Sequence, residues 1–170
     1  MVSRATARLE ANQVRLRALI DQSPLGLFEA TNDGQIEYIN AVGRKLMGVE
    51  HVLVPGEHWA TLIHPEERSA ALAEWHVCLD RRREFRRELR LAHQGSGVEW
   101  AHLTITPLLD ANGAVIAHLG TVVDVTSKRK AQDLLRSSEE RFGLAVRGSS
   151  DGIWDWNLIT NQIWFSPMWP

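Results

Sequence analysis

This sequence lacks the features that disulfide frameworks and membrane spans require. Its 170 residues include a single cysteine, Cys78, so no internal disulfide framework can form. One cysteine suits a reducing compartment, and we predict a cytoplasmic location. No apolar run approaches the roughly 18–20 residues that a membrane-spanning helix needs, and residues 1–21 are too charged for a signal peptide. We therefore expect no membrane contact in this part of the chain.

An excess of positive charge is missing as well. The formal net charge at pH 7 is −2, which gives no bulk attraction to nucleic acid or anionic lipid. The arginine-rich run Arg81–Arg90 alternates apolar and charged positions from Phe85 onward, as in a half-buried strand, with Arg87 as the exception. No aromatic stacking platform accompanies this run. We expect no nucleic-acid partner.

The usual sequence signatures of catalysis and metal binding are also missing. There is no Gly-x-Ser-x-Gly elbow, no P-loop and no cysteine–histidine nucleophile pair. The phospho-accepting histidine segment of sensor kinases and the Gly-Gly-Asp/Glu-Glu-Phe signature of diguanylate cyclases are not found either. His51, His58 and His64 lie close in sequence without a zinc-ligand spacing. We predict that this chain is not an enzyme and holds no metal.

The secondary structure that the sequence does predict is grouped as two strands, several helices and three strands. An amphipathic helix over residues 4–21 precedes a hairpin, because Asn32-Asp33-Gly34 lies between two short apolar runs. Asn40 is placed to cap a short helix, and Pro65 begins a longer helix at the position that proline prefers. The later strands are predicted over Phe85–Leu91, Val98–Leu108 and Val115–Asp124. This grouping favours an α+β domain with an antiparallel sheet.

A long charged helix follows the last strand. Its coiled-coil seam would consist of Ala131, Leu135, Ser138, Phe142 and Ala145. The capping-box spacing of Ser137 and Glu140 leaves open a break near Ser137. After this helix, Gly152-Ile153-Trp154-Asp155 repeats the pattern of Gly26-Leu27-Phe28-Glu29. We divide the chain into an N-terminal helix (1–21), a domain (22–126), a connecting helix (127–147) and the first strands of a second, truncated copy of the domain (148–170).

Five motifs in this order resemble the PAS sensory domain. They are the Asp33-Gly34 turn, the helix start His64-Pro65-Glu66-Glu67, Trp100 early in the fourth strand, the turn Asp110-Ala111-Asn112-Gly113 and the exit Asp124-Val125-Thr126. The resemblance covers about residues 22–126. It implies the PAS fold, a five-stranded antiparallel sheet with helices on one face, flanked by the N-terminal and connecting helices.

The resemblance also implies a pocket between the sheet and the helices. Strand alternation places Ala101, Leu103 and Ile105 on the inner face of the fourth strand. Matching the family pattern adds Phe28, Ala30, Ile36, Tyr38, His118, Gly120 and Val122. The opposite face of the fifth strand is also apolar, and the N-terminal helix or a partner chain would cover it.

No specific cofactor follows from these residues. The light-sensing branch of the family needs a cysteine near the start of the long helix, whereas Cys78 lies on the apolar stripe near its far end. Haem is disfavoured, because Ala71 falls about where a family histidine ligand would lie and His76 is off the apolar stripe. A small organic ligand or a non-covalent flavin stays open, and so does a filled core that requires no cofactor.

By the same resemblance, we predict a sensory input module of a multidomain signalling protein. Asp124 and Thr126 would relay a change in the sheet to the connecting helix, although both are also good helix-start residues that could simply cap a linker. An output domain, such as a histidine kinase or a diguanylate cyclase, would follow in cis. We expect a homodimer through the N-terminal and connecting helices. The alternative function is a ligand-free PAS dimerisation scaffold.

Overall fold

The chain divides into two compact units, Met1–Thr126 and Ser127–Pro170. The computed structural model describes residues 4–49, 56–92, 97–148 and 153–166. In the first unit the helices are α1 (Arg4–Asp21), α2 (Ala41–Leu46) and α3 (Pro65–Asp80), with a 3₁₀ turn at Trp59–Leu62. The strands are β1 (Gly26–Ala30), β2 (Ile36–Ile39), β3 (Phe85–Arg90), β4 (Trp100–Leu109) and β5 (Val115–Asp124).

The five strands form one antiparallel sheet in the order β2-β1-β5-β4-β3. The last strand in sequence, β5, is central: it pairs with β1, where Gly26 lies opposite Val122, and with β4, where Ala101 lies opposite Asp124. The predicted turn between β1 and β2 is present, with Gly34 at φ 82° and its N–H bonded to the Thr31 carbonyl at 2.9 Å. The predicted α+β fold with a five-stranded antiparallel sheet is therefore confirmed.

A β-bulge in β2 corrects one predicted pocket residue. Ala30 pairs with Ile36 and Glu29 pairs with Tyr38, so Glu37 is the extra residue between them. The bulge reverses the alternation, and Tyr38 lies opposite the outward-facing Glu29. The prediction that Tyr38 lines the pocket is wrong. The buried side chain at that end of the strand is instead that of Ile39, which is 4% exposed.

Three aromatic side chains form the centre of the core on the inner face of the sheet. Trp59, Trp75 and Phe85 are each at most 2% exposed. The centroid of the Trp59 ring lies 5.6 Å from that of Trp75, in an edge-to-face arrangement, and 5.4 Å from that of Phe85, in a tilted arrangement. These offset geometries are the ones that aromatic pairs prefer. Trp75 lies on the apolar stripe of α3 together with the fully buried Ala71, as that stripe predicts.

Ion pairs link α3 to β3 at two places. At the start of α3, Glu67 accepts hydrogen bonds from the backbone N–H and the Nε of Arg90, at 2.9 and 2.8 Å. Glu66 accepts from Arg90 Nη2 at 2.8 Å, and this bond holds the pKa of Glu66 below its usual range. Farther along α3, Glu74 pairs with Arg87 at 2.9 Å. This ion pair explains why an arginine interrupts the apolar alternation of β3.

The helix α4 (Thr126–Gly148) leads into the second unit without interruption, so the break near Ser137 does not occur. Beyond it, β6 (Trp154–Asn157) and β7 (Gln162–Phe165) pair antiparallel, with Trp154 opposite Phe165. Every residue of both strands is exposed. That this hairpin begins a second copy of the domain stays a prediction. Of the helices that the structure describes, none has the length and apolar character needed to cross a bilayer.

Candidate functional site

The chain passes from β5 into α4 through a corner formed by Asp124, Val125 and Thr126, which we call the exit corner. The Thr126 backbone N–H donates to Asp124 Oδ1 at 2.8 Å. This bond satisfies one of the N–H groups that a helix start leaves unpaired. The Val125 N–H donates to the Trp100 carbonyl at 3.0 Å, which continues the pairing of β5 with β4.

The Thr126 hydroxyl ties the exit corner to the start of β4. Its oxygen accepts from the backbone N–H of Glu99 at 3.0 Å and from that of Trp100 at 3.1 Å. Thr126 is buried, so these bonds are largely shielded from water, and such shielding makes them costly to break. A displacement of β4 relative to β5 must therefore change the bonds made by the first residue of α4.

The interior space at the predicted pocket is small. Between the sheet and the helices, the described residues leave a cavity of about 10 Å³, close to what a single water needs. Of the predicted residues, Phe28, Ala101, Leu103 and Val122 line this cavity. Ala30, Ile36 and Ile105 are buried in the core. A ligand larger than a single water could enter this space only if the surrounding side chains moved.

Sequence reasoning missed most of the side chains that surround this cavity. They are Met47, Trp59, Leu62, Ile63, Leu89 and Leu91. Trp59, Leu62 and Ile63 lie in or next to a 3₁₀ turn, which has no long periodicity to recognise. A bulky tryptophan within a loop-like segment was the available signal. The Trp59 Nε1 is buried and has no hydrogen-bond partner among the described residues.

Gly120 was predicted to line the pocket, but Phe28 covers it. The two residues lie opposite each other on β5 and β1. A Cβ atom on Gly120 would lie inside the space that the Phe28 ring occupies. The absence of a side chain at Gly120 therefore leaves room for the tip of the Phe28 ring within the core.

His118 is on the inner face of β5, as predicted, but it does not line the core cavity. It lines a separate cleft of about 220 Å³ beside the end of α3. Cys78, predicted to be a core residue, is half-buried, packs against the core and lines the same cleft. His76 is exposed, as expected from its position off the apolar stripe.

The histidines near the 3₁₀ turn have local structural contacts. The His58 Nδ1 accepts from the Ala60 backbone N–H at 3.1 Å, and burial lowers the pKa of His58. His64 occupies the N-cap position of α3. His51 lies outside the described residues. Within the described ranges, no group of side chains is arranged to hold a metal ion.

Asn40 joins α1, β1 and α2 through its side chain. The Oδ1 atom accepts from the backbone N–H of Leu27 at 2.9 Å and of Gly43 at 2.8 Å. The Nδ2 atom donates to the carbonyls of Ile20 and Leu25, each at 3.0 Å. The predicted cap of α2 is thus present, and the same fully buried amide also attaches the end of α1 to the sheet.

A second bond beside Asn40 links α1 to the sheet. The Tyr38 hydroxyl donates to Asp21 Oδ1 at 2.5 Å, and this hydrogen bond raises the pKa of Tyr38. Tyr38 was predicted to be a pocket residue, and it contacts the N-terminal helix instead. The end of α1 is thus bonded both to β2, through Tyr38, and to the Asn40 side chain.

Comparison with known families decides the classification. A family model described as the PAS fold matches residues 20–130, which is more than half of the chain. The chain belongs to the PAS family. The sequence-based prediction of a PAS domain is thereby confirmed, and the exit corner lies within the matched region.

Relatives of this PAS domain include signal-transduction proteins. The chain is 28% identical over 152 residues to the two-component sensor PprA of Pseudomonas aeruginosa, a match covering 86% of the chain and 16% of that relative. It is 20% identical over 154 residues to the probable diguanylate cyclase DgcE of Escherichia coli, covering 90% of the chain and 14% of that relative. The chain thus spans only a small part of either protein. These relatives support a sensory input role for the domain.

A solved structure supports the same fold. The sensory box histidine kinase/response regulator from Burkholderia thailandensis superposes with a TM-score of 0.58 and 25% sequence identity. The match covers 75% of this chain and 97% of that chain. The PAS fold is therefore supported both by the sequence and by the three-dimensional arrangement.

Proposed function

We propose that this PAS domain is the input module of a longer signalling protein and that its exit corner relays a change in the sheet to α4. The observation that carries the proposal is the Thr126 hydroxyl, which accepts from two consecutive backbone N–H groups at the start of β4. A signal that shifts β4 against β5 would favour one of two arrangements of α4. An output domain in cis would respond to that shift in population. The cytoplasmic location stays a prediction from the sequence.

The relay can be tested at Asp124, which is exposed and therefore replaceable without disturbing the core. Asp124→Ala removes the bond to the Thr126 N–H, and loss of a helix cap costs about 1 kcal/mol. If the bond is present in only one of the two arrangements, the balance between them changes about fivefold. We expect the basal output of the full-length protein to change about fivefold. Deuterium exchange should increase at the first turn of α4, while the amides of the sheet stay protected.

Asp124→Asn is the matched control. An asparagine oxygen can still accept from the Thr126 N–H, so output and exchange should remain close to those of the wild type. Suppose instead that Asp124→Ala increases exchange at the start of α4 and leaves output unchanged. The exit corner would then be a simple linker cap, and the relay role would be lost.

Pairing of α4 with a second copy is the other part of the proposal. Leu135 and Phe142, which belong to the predicted seam, are 61% and 59% exposed on this helix. Two apolar side chains at heptad spacing on a charged helix are typical of a coiled-coil contact. A dimer that pairs α4 with α4 and α1 with α1 would bring two output domains together.

Native mass spectrometry of the 170-residue chain tests the dimer and any bound ligand in one spectrum. We expect a dimer for the wild type and a monomer for Leu135→Lys, because a lysine in the seam places charge in the apolar contact. Leu134→Lys is the control, since Leu134 is similarly exposed but lies off the seam. A wild-type monomer, or a dimer that survives Leu135→Lys, would rule out pairing through this seam.

The same spectrum decides between sensing with a core ligand and a ligand-free scaffold. The small core cavity argues against a flavin in the core, because a flavin could enter only if side chains such as Trp59 and Met47 moved aside. Mass that is lost on denaturation would identify a small organic ligand or a non-covalent flavin. A dimer of bare chain mass would favour the scaffold function.

A further inference from the structure

The cleft that His118 lines is much larger than the core cavity. It measures about 220 Å³, compared with about 10 Å³ for the cavity. It lies where the end of α3, the segment after it, the start of β5 and the β1–β2 turn come together. We call it the arginine cleft, after Arg82 and Arg83, and its other polar side chains are Asn32 and His118. Typical ligand pockets measure about 300–1,000 Å³, so this cleft suits a small molecule.

His118 gives the cleft a polar group that is not satisfied within the described structure. Its side chain is 4% exposed, and its Nδ1 atom is buried without a hydrogen-bond partner among the described residues. Burial lowers the pKa of His118, and the backbone of Thr31 partly offsets this effect. Leaving a buried polar group unpaired is costly, and native structures rarely do so without a water or a ligand nearby.

Two exposed arginines, just after α3, supply positive charge to the lining of the cleft. Arg83 is exposed and makes no ion pair with any residue that the structure describes. Arg82 is held in the left-handed region at φ 50°, and its Nη1 donates to the Gly113 carbonyl at 3.2 Å. A non-glycine residue in this conformation is uncommon and marks a position that the surrounding structure fixes.

Three of the other four arginines of the same run, all of them on β3, have a different role. Arg86 pairs with Glu84 at 2.6 Å, and Arg87 and Arg90 are paired with glutamates of α3. The charge that suggested a nucleic-acid surface is thus largely neutralised along β3. It stays available at Arg82 and Arg83, beside the cleft.

The remaining lining of the cleft is apolar. Leu79 on α3, Pro107 on β4 and Val115 on β5 form its walls. A site that combines two exposed guanidinium groups, a buried imidazole and aliphatic side chains is suited to a molecule with a charged end and a short hydrocarbon body. Arginine binds carboxylates through two parallel hydrogen bonds, which makes that group its natural partner.

We propose that the arginine cleft binds a small organic carboxylate, with the carboxylate at Arg82 and Arg83, the aliphatic part along the apolar walls and a second polar group at its far end beside His118. Binding at this cleft does not depend on the relay through the exit corner. Its use as a signal does rest on that relay, because His118 and Asp124 lie on the same strand, β5.

Calorimetric titration of the 170-residue chain tests the site directly. The probes are butyrate, succinate and inorganic phosphate, each at constant ionic strength. We expect saturable binding of a carboxylate with a Kd of about millimolar or tighter. Arg83→Gln should weaken it by about tenfold or more, because a hydrogen bond to a charged group is lost. His118→Phe should weaken succinate more than butyrate, because the second carboxylate loses a polar partner.

Arg86→Gln is the matched control, because Arg86 belongs to the same run and is already paired with Glu84. Its affinity for the carboxylates should equal that of the wild type. Equal weakening by Arg83→Gln and Arg86→Gln, binding of phosphate alone, or no saturable binding of any probe would each overturn the proposal. If a carboxylate binds but the output of full-length protein does not respond, the site stands and its link to the relay does not.

Discussion

Gly120→Ala is expected to lower the free energy of unfolding of the first unit by about 3 kcal/mol, at the upper end of the usual cost of overpacking. The added methyl group would lie where the Phe28 ring lies, and Phe28 is 1% exposed in the middle of the core. The Phe28 ring borders a cavity of only about 10 Å³, which is too small to take up the displaced ring. Thermal unfolding followed by circular dichroism should show a midpoint lower by about 10 °C.

The double variant Gly120→Ala with Phe28→Leu separates this clash from other effects. Phe28→Leu alone leaves a small cavity and costs about 1–2 kcal/mol. Because leucine frees the space above Gly120, the double variant should be more stable than the sum of the two single effects predicts. Simple additivity would show that Phe28 is not what excludes a side chain at this position. Gly143→Ala, where the nearest atom is 3.8 Å away, should not destabilise the chain.

Asn40→Ala should also be strongly destabilising and should lower the free energy of unfolding by about 3 kcal/mol. The fully buried amide satisfies two backbone N–H groups and two carbonyls, which alanine would leave without partners. Because the Ile20 carbonyl is one of them, the end of α1 should also exchange its amide hydrogens faster. Chemical denaturation and hydrogen exchange measure these two effects separately.

Asn40→Asp separates the contribution of the accepting Oδ1 atom to stability from that of the donating Nδ2 group. A carboxylate still accepts from Leu27 and Gly43, but it cannot donate to the carbonyls of Ile20 and Leu25. We expect exchange at the end of α1 to rise as it does in the alanine variant. Asn112→Ala, at an exposed turn position, should change stability by less than about 0.5 kcal/mol. An Asn40→Ala variant as stable as Asn112→Ala would show that the amide does not secure α1.

The features that sequence reasoning predicted correctly depend on local chemistry. Gly34 is required by a turn with positive φ, Pro65 begins α3, and Asn40 caps α2. Each of these features involves only residues that are close together in the sequence. The five-stranded antiparallel sheet followed from the grouping of strands and helices and from a family pattern rather than from any residue alone. The prediction of which β4 side chains face inward was correct, because buried and half-buried residues alternate strictly along the first half of this strand.

The features that it missed depend on contacts between distant residues. The bulge at Glu37 is defined by pairing with β1, and nothing in residues 36–39 alone distinguishes it from a regular strand. The second role of Asn40, which is to attach the end of α1 to the sheet, depends on hydrogen bonds to residues 13 to 20 positions away. The arginine cleft combines the β1–β2 turn, the end of α3 and β5, so no local motif could have indicated it.

The distribution of tryptophans between the two units makes them optically distinct. Trp59 and Trp75 are at most 2% exposed in the first unit, whereas Trp154, Trp156 and Trp164 of the hairpin are 46–54% exposed. Emission from the first pair is therefore shifted to shorter wavelength and shielded from iodide, and emission from the hairpin is shifted to longer wavelength and readily quenched. Once Trp100, which is half-buried on β4, and Trp169 are replaced by phenylalanine, intrinsic fluorescence recorded at the two wavelengths can follow the PAS core and the hairpin separately in the same sample without any added label.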